Sequence, residues 1–142
     1  MILYLDTSAL VPLLIAEQTS DVCGQLWDRA DRVTTARLTY VETAAALAAA
    51  ERLGRLTAPQ YVASREMLNE LWGAVDVVEL DARLMLSAAD VAARRGLRGY
   101  DAVHCAAASG LRGESLVAAA GDTQLLAAWS AEGLAVIDIN AS

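Results

Sequence analysis

The sequence predicts an α/β domain with a central parallel sheet, and three observations support this. Short apolar runs rich in strand formers alternate with longer helical segments, the order expected of strands joined by helical crossovers. The first of these runs, ILYL at the start of the chain, has no polar alternate face, which suits a strand buried on both sides. Finally, no Ser/Pro-rich linker, charge block or internal repeat interrupts the 142 residues, so 1–142 reads as a single domain. A chain of this size buries roughly 70% of its extended surface and folds without a staple.

The first run, ILYL (Ile2–Leu5), predicts a strand, and helical patterns follow over Ser8–Ala16 and Ser20–Ala30. Pro12 falls near the first turn of the former, where proline is tolerated. VTTA (Val33–Ala36) predicts a second strand feeding LTYVETAAALAAA (Leu38–Ala50), an alanine- and leucine-rich helix. That helix is apolar on most faces, which predicts burial in the core. Ala58–Trp72 is a further helix, with Pro59 in its first turn. Next come a strand at Val75–Leu80, a helix over Asp81–Arg95 ended by Gly96, and a helix over Tyr100–Ser109 ended by Gly110. Ser115–Ala119 (strand), Asp122–Glu132 (helix) and Leu134–Ile139 (strand) complete the pattern.

Composition narrows the function. The net charge of −7 argues against a general nucleic-acid coat but is compatible with an enzyme that gathers acids at a metal site. All 11 basic residues are arginine. Cys23 and Cys105 lack CxxC spacing and read as two reduced thiols of a cytoplasmic protein. The N-terminus has no basic region ahead of its apolar run and carries Asp6 early, unlike a signal peptide. No apolar run approaches the roughly 18 residues of a membrane span, so no membrane association is expected.

Four acids stand apart from the rest. Asp6 follows the first strand, Asp122 follows the strand at 115–119, Asp101 opens a helix, and Glu42 is the one charge in LTYVETAAALAAA. In a parallel sheet all four fall near one rim, where open α/β sheets bind ligands. Other acids, such as Asp28, Asp31, Glu51, Glu66, Glu70 and Glu114, have polar neighbours and read as solvated. Taken singly, Asp6, Asp101 and Asp122 also fit helix N-caps, and Glu42 also fits a pair with a distant arginine. Taken together they pose an electrostatic problem. Two unit charges about 5 Å apart repel by roughly 3 kcal/mol at an effective dielectric near 20. Convergence of four would require protonation, arginine or a metal, and an all-oxygen donor set favours Mg²⁺ or Mn²⁺. Such an ion activates water for attack on a phosphodiester.

LYLDTSAL, the lone glutamate of LTYVETAAAL, GLRGYDAVHCAAA and AAGDTQLLAAWSAEGLAVIDI together resemble PIN-domain proteins, in particular the VapC-type ribonuclease toxins of toxin–antitoxin pairs. The resemblance spans nearly the whole chain, in order. It implies a three-layer α/β/α fold, commonly dimeric, with a Mg²⁺-dependent ribonuclease site (Mn²⁺ as the alternative ion) and a cognate antitoxin partner. It carries the family's acidic quartet onto Asp6, Glu42, Asp101 and Asp122, with Asp6 and Asp101 as metal ligands and Thr7 at the family's hydroxyl position. One departure is Ala120, where relatives often carry Ser or Thr two residues before the fourth acid; Thr123 is a candidate substitute.

Arg94, Arg95, Arg98 and Arg112 flank the Asp101 helix and read either as RNA-phosphate contacts or as helix-end and loop cations. His104, the only histidine, shares a helix face with Asp101 and reads as a packed side chain or as a partner of the acids. Trp27, Trp72 and Trp129 read as core or dimer surface. Rival functions lack their essential groups. A P-loop and a receiver domain both need lysine, Ser8 breaks the DxD of haloacid-dehalogenase-type phosphatases, no GxGxxG follows a strand, and there is no GxSxG. The remaining alternative is a non-catalytic PIN-like module that acts by binding protein, suggested by Ala120 and the acidic net charge.

Overall fold

The computed structural model describes residues 1–113 and 115–141; Glu114, read above as a solvated acid, lies outside them. β1 (Ile2–Leu5) leads into α1 (Thr7–Leu10) and a 3-10 turn (Val11–Leu13), then α2 (Ser20–Arg29) and β2 (Arg32–Ala36). α3 (Leu38–Arg52), α4 (Ala58–Trp72), β3 (Asp76–Val78), α5 (Ala82–Arg95) and α6 (Gly99–Ser109) follow. The chain then forms β4 (Leu116–Ala120), α7 (Thr123–Ala131) and β5 (Ala135–Asp138). The strands form one sheet in the order β3-β2-β1-β4-β5, and every pairing is parallel. From β1 the chain runs outward to β3, then returns to build β4 and β5 on the other side. Strand order therefore reverses between β1 and β4, and the crevice beyond their carboxyl ends is the usual ligand position in such sheets.

Side-chain alternation along β1 divides the interior into two cores. Tyr4 faces the helices α5, α6 and α7, packing with Val91, Cys105 and Trp129. Leu3 and Leu5 face the opposite layer, with Leu10, Cys23, Leu47 and Leu68 from α1–α4. The result is the three-layer α/β/α arrangement expected, with Cys23 and Cys105 buried and unpaired with each other. Trp129 is fully buried and meets Tyr4 edge-on, while Trp72 meets Tyr40 in the same manner near the surface.

Two elements differ from expectation. The helix expected over Ser8–Ala16 is one α-turn followed by a 3-10 turn containing Pro12, because proline supplies no N–H and its ring crowds the preceding turn. α3 is not buried all round. It buries a single stripe, Thr39, Thr43, Leu47 and Ala50, and leaves Val41 59% exposed. Alanine accounts for the difference, since its small side chain costs little in water and needs no core to remain helical. Strand ends shift by a residue or two, most at β3, which is shorter than the segment at 75–80. α5 stops where expected, because Gly96 adopts a left-handed conformation (φ 67°) that favours glycine.

Three of the arginines around α6 serve this frame. Arg94 and Arg95 both reach the Glu132 carboxylate, at 2.6 and 2.7 Å, and Arg112 donates to the Glu132 backbone carbonyl at 2.7 Å. These bonds join α5 to the end of α7. The two guanidinium bonds hold the Glu132 carboxyl down at about 2. Its folded value lies below the unfolded one, so its stabilisation is complete above the ordinary glutamate range and is lost as pH falls toward 2. Glu132→Ala should lower stability by about 2 kcal/mol at neutral pH, read by urea denaturation, and the gap to wild type should close as the buffer is taken from pH 5 toward 2.

Candidate active site

Four elements deliver carboxylates to the crevice at the strand ends. Asp6 follows β1 directly and caps α1; its Oδ2 accepts the Ser8 N–H at 3.1 Å and the Ser8 hydroxyl at 2.6 Å. The Ser8 hydroxyl also accepts the Gly121 N–H at 2.8 Å, so the end of β1 is tied to the end of β4. Ser8 thus brings a hydroxyl to the β4 end, where the sequence pattern lacks one at Ala120. Asp122 caps α7, its Oδ1 accepting the Gln124 and Leu125 N–H groups at 2.9 and 3.2 Å. Asp101 lies within the first turn of α6, whose N-cap is Arg98; a carboxylate there suits the positive end of the helix dipole. Glu42 projects from α3, and its Oε1 accepts the Thr7 hydroxyl at 2.7 Å.

Two basic side chains join these acids. His104 Nε2 lies 2.7 Å from Glu42 Oε1 and 3.4 Å from Asp6 Oδ1. Arg98 lies 3.2 Å from Asp101 Oδ2 and 3.8 Å from Asp122 Oδ2, with its guanidinium 4.7 Å from the centre of the Tyr100 ring. The four sequence-predicted acids therefore gather at one rim, as two bridged pairs. Asp6 and Asp101 are 7% and 4% exposed, whereas the Glu42 and Asp122 side chains are 25% and 29% exposed. The partner of Glu42 is neither a neighbouring arginine nor bulk water but Thr7 and His104.

The titration shifts record this crowding. Asp101 is raised, first by burial and then by the Asp122 charge, with Arg98 opposing both and Asp6 adding repulsion. For Glu42, burial pushes upward, but the hydrogen bonds from His104 and Thr7 and the attraction of His104 outweigh it, leaving the carboxyl below its ordinary range. Burial pushes His104 downward, and the Glu42 bond with the charges of Asp6, Glu42 and Asp101 more than reverses it. These groups act on one another as a unit.

The donor chemistry suits a hard divalent ion, being four carboxylates with no sulfur. In their present positions no three His, Cys, Asp or Glu side chains among the described residues stand close enough to hold a metal; His104 and Arg98 engage the acids instead.

The packed reading of His104 holds, since it is 1% exposed, but it is also bonded to the acids. The signal for that role was its position three residues after Asp101, on the same face. Of the four arginines weighed as phosphate contacts, only Arg98 reaches the acidic rim; Arg94, Arg95 and Arg112 are spent on Glu132. Because Arg98 is the cation opposing protonation of Asp101, Arg98→Ala should raise the Asp101 value further, measured as an upward shift in its carboxyl NMR titration midpoint.

Residues 3–128 match the PIN domain family. Two curated relatives from Mycobacterium tuberculosis are Ribonuclease VapC45 (strain CDC 1551 / Oshkosh) and Ribonuclease VapC49 (strain ATCC 25618 / H37Rv). Each is 39% identical over 124 residues, which cover 87% of this chain and 86% of the relative. Among solved structures, PAE2754 from Pyrobaculum aerophilum superposes with a TM-score of 0.71 at 25% identity, covering 97% of this chain and 84% of that one. A toxin–antitoxin complex from Klebsiella pneumoniae superposes with a TM-score of 0.68 at 14% identity, covering 98% of each chain.

Proposed function

The chain belongs to the PIN-domain family, and on that premise we propose that it is a Mg²⁺-dependent endoribonuclease of the VapC type, the toxin of a toxin–antitoxin pair. The observation that carries the reading is the gathering of Asp6, Glu42, Asp101 and Asp122 at the crevice where strand order reverses. The ribonuclease activity itself is supported by the names of the two curated relatives.

Asp6 and Asp101, the most buried of the four acids, would hold the ion. When bound, Mg²⁺ (or Mn²⁺) supplies Lewis-acid polarisation of the phosphate and a more acidic water. The chain's own residues divide the remaining work. Asp6 and Asp122 each commit one carboxylate oxygen to a helix cap and turn the other toward His104 or Arg98. Glu42 commits Oε1 to Thr7 and His104, and its other oxygen accepts the proton of the attacking water. Water adds to phosphorus, the ester P–O bond breaks, the departing ribose oxygen takes up a proton from solvent water, and Glu42 releases the proton it accepted back to solvent. Arg98 is 62% exposed at the mouth of the site and grips a neighbouring phosphate of the RNA.

Regulation in this reading comes from a cognate antitoxin protein, and the active form is a homodimer. Val41, Val62, Met67 and Leu86, left exposed on α3, α4 and α5, offer apolar surface to such partners. No helix among the described residues is long and apolar enough to cross a membrane, and the cytoplasm is the proposed site of action.

Purified protein should cleave RNA with Mg²⁺ and stop on chelation. Asp6→Asn and Asp101→Asn should each lower kcat by more than about 100-fold, beyond the loss expected of a merely supporting residue. Full activity in either variant would overturn the mechanism, and absence of carboxylate-dependent Mg²⁺ uptake in calorimetry would favour the non-catalytic binding module. Co-expression with the antitoxin should abolish cleavage in a gel assay of the same RNA.

A further inference from the structure

We propose that Tyr4 and His104 form a positioning pair that clamps Glu42 by Oε1 and leaves Oε2 as its working oxygen. The inference rests on the ribonuclease reading above. His104 Nε2 faces two carboxylates, Glu42 at 2.7 Å and Asp6 at 3.4 Å. Both are acceptors, so Nε2 must carry a proton and donate. On the other side of the ring, Nδ1 lies 2.8 Å from the Tyr4 hydroxyl. Tyr4 is fully buried, and a tyrosine phenol is a neutral O–H at neutral pH. A buried O–H seeks an acceptor, and Nδ1 provides one. In the neutral ring the Tyr4 bond therefore selects the tautomer that donates to Glu42, and in the protonated ring Nε2 still donates to Glu42 while Nδ1 donates to the Tyr4 oxygen.

The ring is held on one side by Tyr4 and its backbone on the other by Trp129. Tyr4 meets it edge-on with ring centroids 6.1 Å apart, and the Trp129 indole N–H donates to the His104 carbonyl at 3.3 Å. Tyr4 lies on the central strand, so the orientation of Glu42 on α3 is referred, through α6, to the middle of the sheet. With Thr7 and His104 both on Oε1, Glu42 presents one oxygen to the reaction. It would therefore meet the ion or the attacking water through a single atom.

The test uses His104→Gln, His104→Asn and Tyr4→Phe, each checked for folding by circular dichroism. Glutamine keeps a donor near the Nε2 position, while asparagine reaches only the Nδ1 position. His104→Gln should retain kcat and Mg²⁺ affinity within about fivefold. His104→Asn should lose about 10- to 100-fold in both, with KM unchanged. A packing role alone would make the two variants alike. Because the chain has one histidine, its ¹⁵N imidazole spectrum, taken at a pH above the ring's own titration so that the ring is neutral, reads the tautomer without assignment. A protonated Nε2 is expected in wild type, with tautomer mixing in Tyr4→Phe. An unprotonated Nε2 in wild type, or equal behaviour of the glutamine and asparagine variants, overturns the proposal while leaving the nuclease reading intact. A wild-type protein without Mg²⁺-dependent cleavage would remove both.

Discussion

Four carboxylates share the carboxyl edge of a sheet that is buried on both faces, and much of the local architecture answers their mutual repulsion. Asp6 and Asp101 are nearly inaccessible, so water screens them poorly. A soluble domain tolerates such a cluster only where cations, hydrogen-bond donors or a bound ion balance it. Here the balance comes from His104 on one side and Arg98 on the other. Asp101 is raised by burial and then by the Asp122 charge, and His104 is raised against its own burial by Glu42, Asp6 and Asp101.

The carboxylates also divide their atoms. Asp6 and Asp122 each cap a helix with one oxygen, and Glu42 spends one on Thr7 and His104. Capping and site-building are therefore not competing explanations for these residues. A cap anchors the carboxylate to a rigid element and costs only one of its two acceptors. The second oxygen is left facing His104 or Arg98, which is how two helix caps also pre-position a charged site.

Much of this was legible in the residues. The alternation of apolar runs and helical segments gave the sheet class, because burial on both faces demands strands such as ILYL with no polar alternate side. Glu42 stood out because a lone acid in an alanine-rich helix has no local partner. Less was legible where small side chains blur the signal. Alanine is at home both in a core and in water, so α3 looked buried all round although only one stripe packs. Pro12 divided a helix that the periodicity carried through, since one missing N–H is a backbone effect and leaves no mark on hydrophobic spacing.

The arginines show the limit most clearly. Arg94, Arg95, Arg98 and Arg112 are alike in sequence, each a cation beside the Asp101 helix, yet three are committed to Glu132 and one to the acidic rim. The sequence by itself determined which residues carry charge, which segments are strands and helices, and which four acids lie beyond strand ends. Those properties follow from local chemistry and periodicity. Only the tertiary structure decided the pairings: His104 with Glu42 across 62 residues, Tyr4 with His104 across 100. A hydrogen bond is set by distances of a fraction of an ångström, and such distances between remote residues exist only once the sheet has brought its elements together.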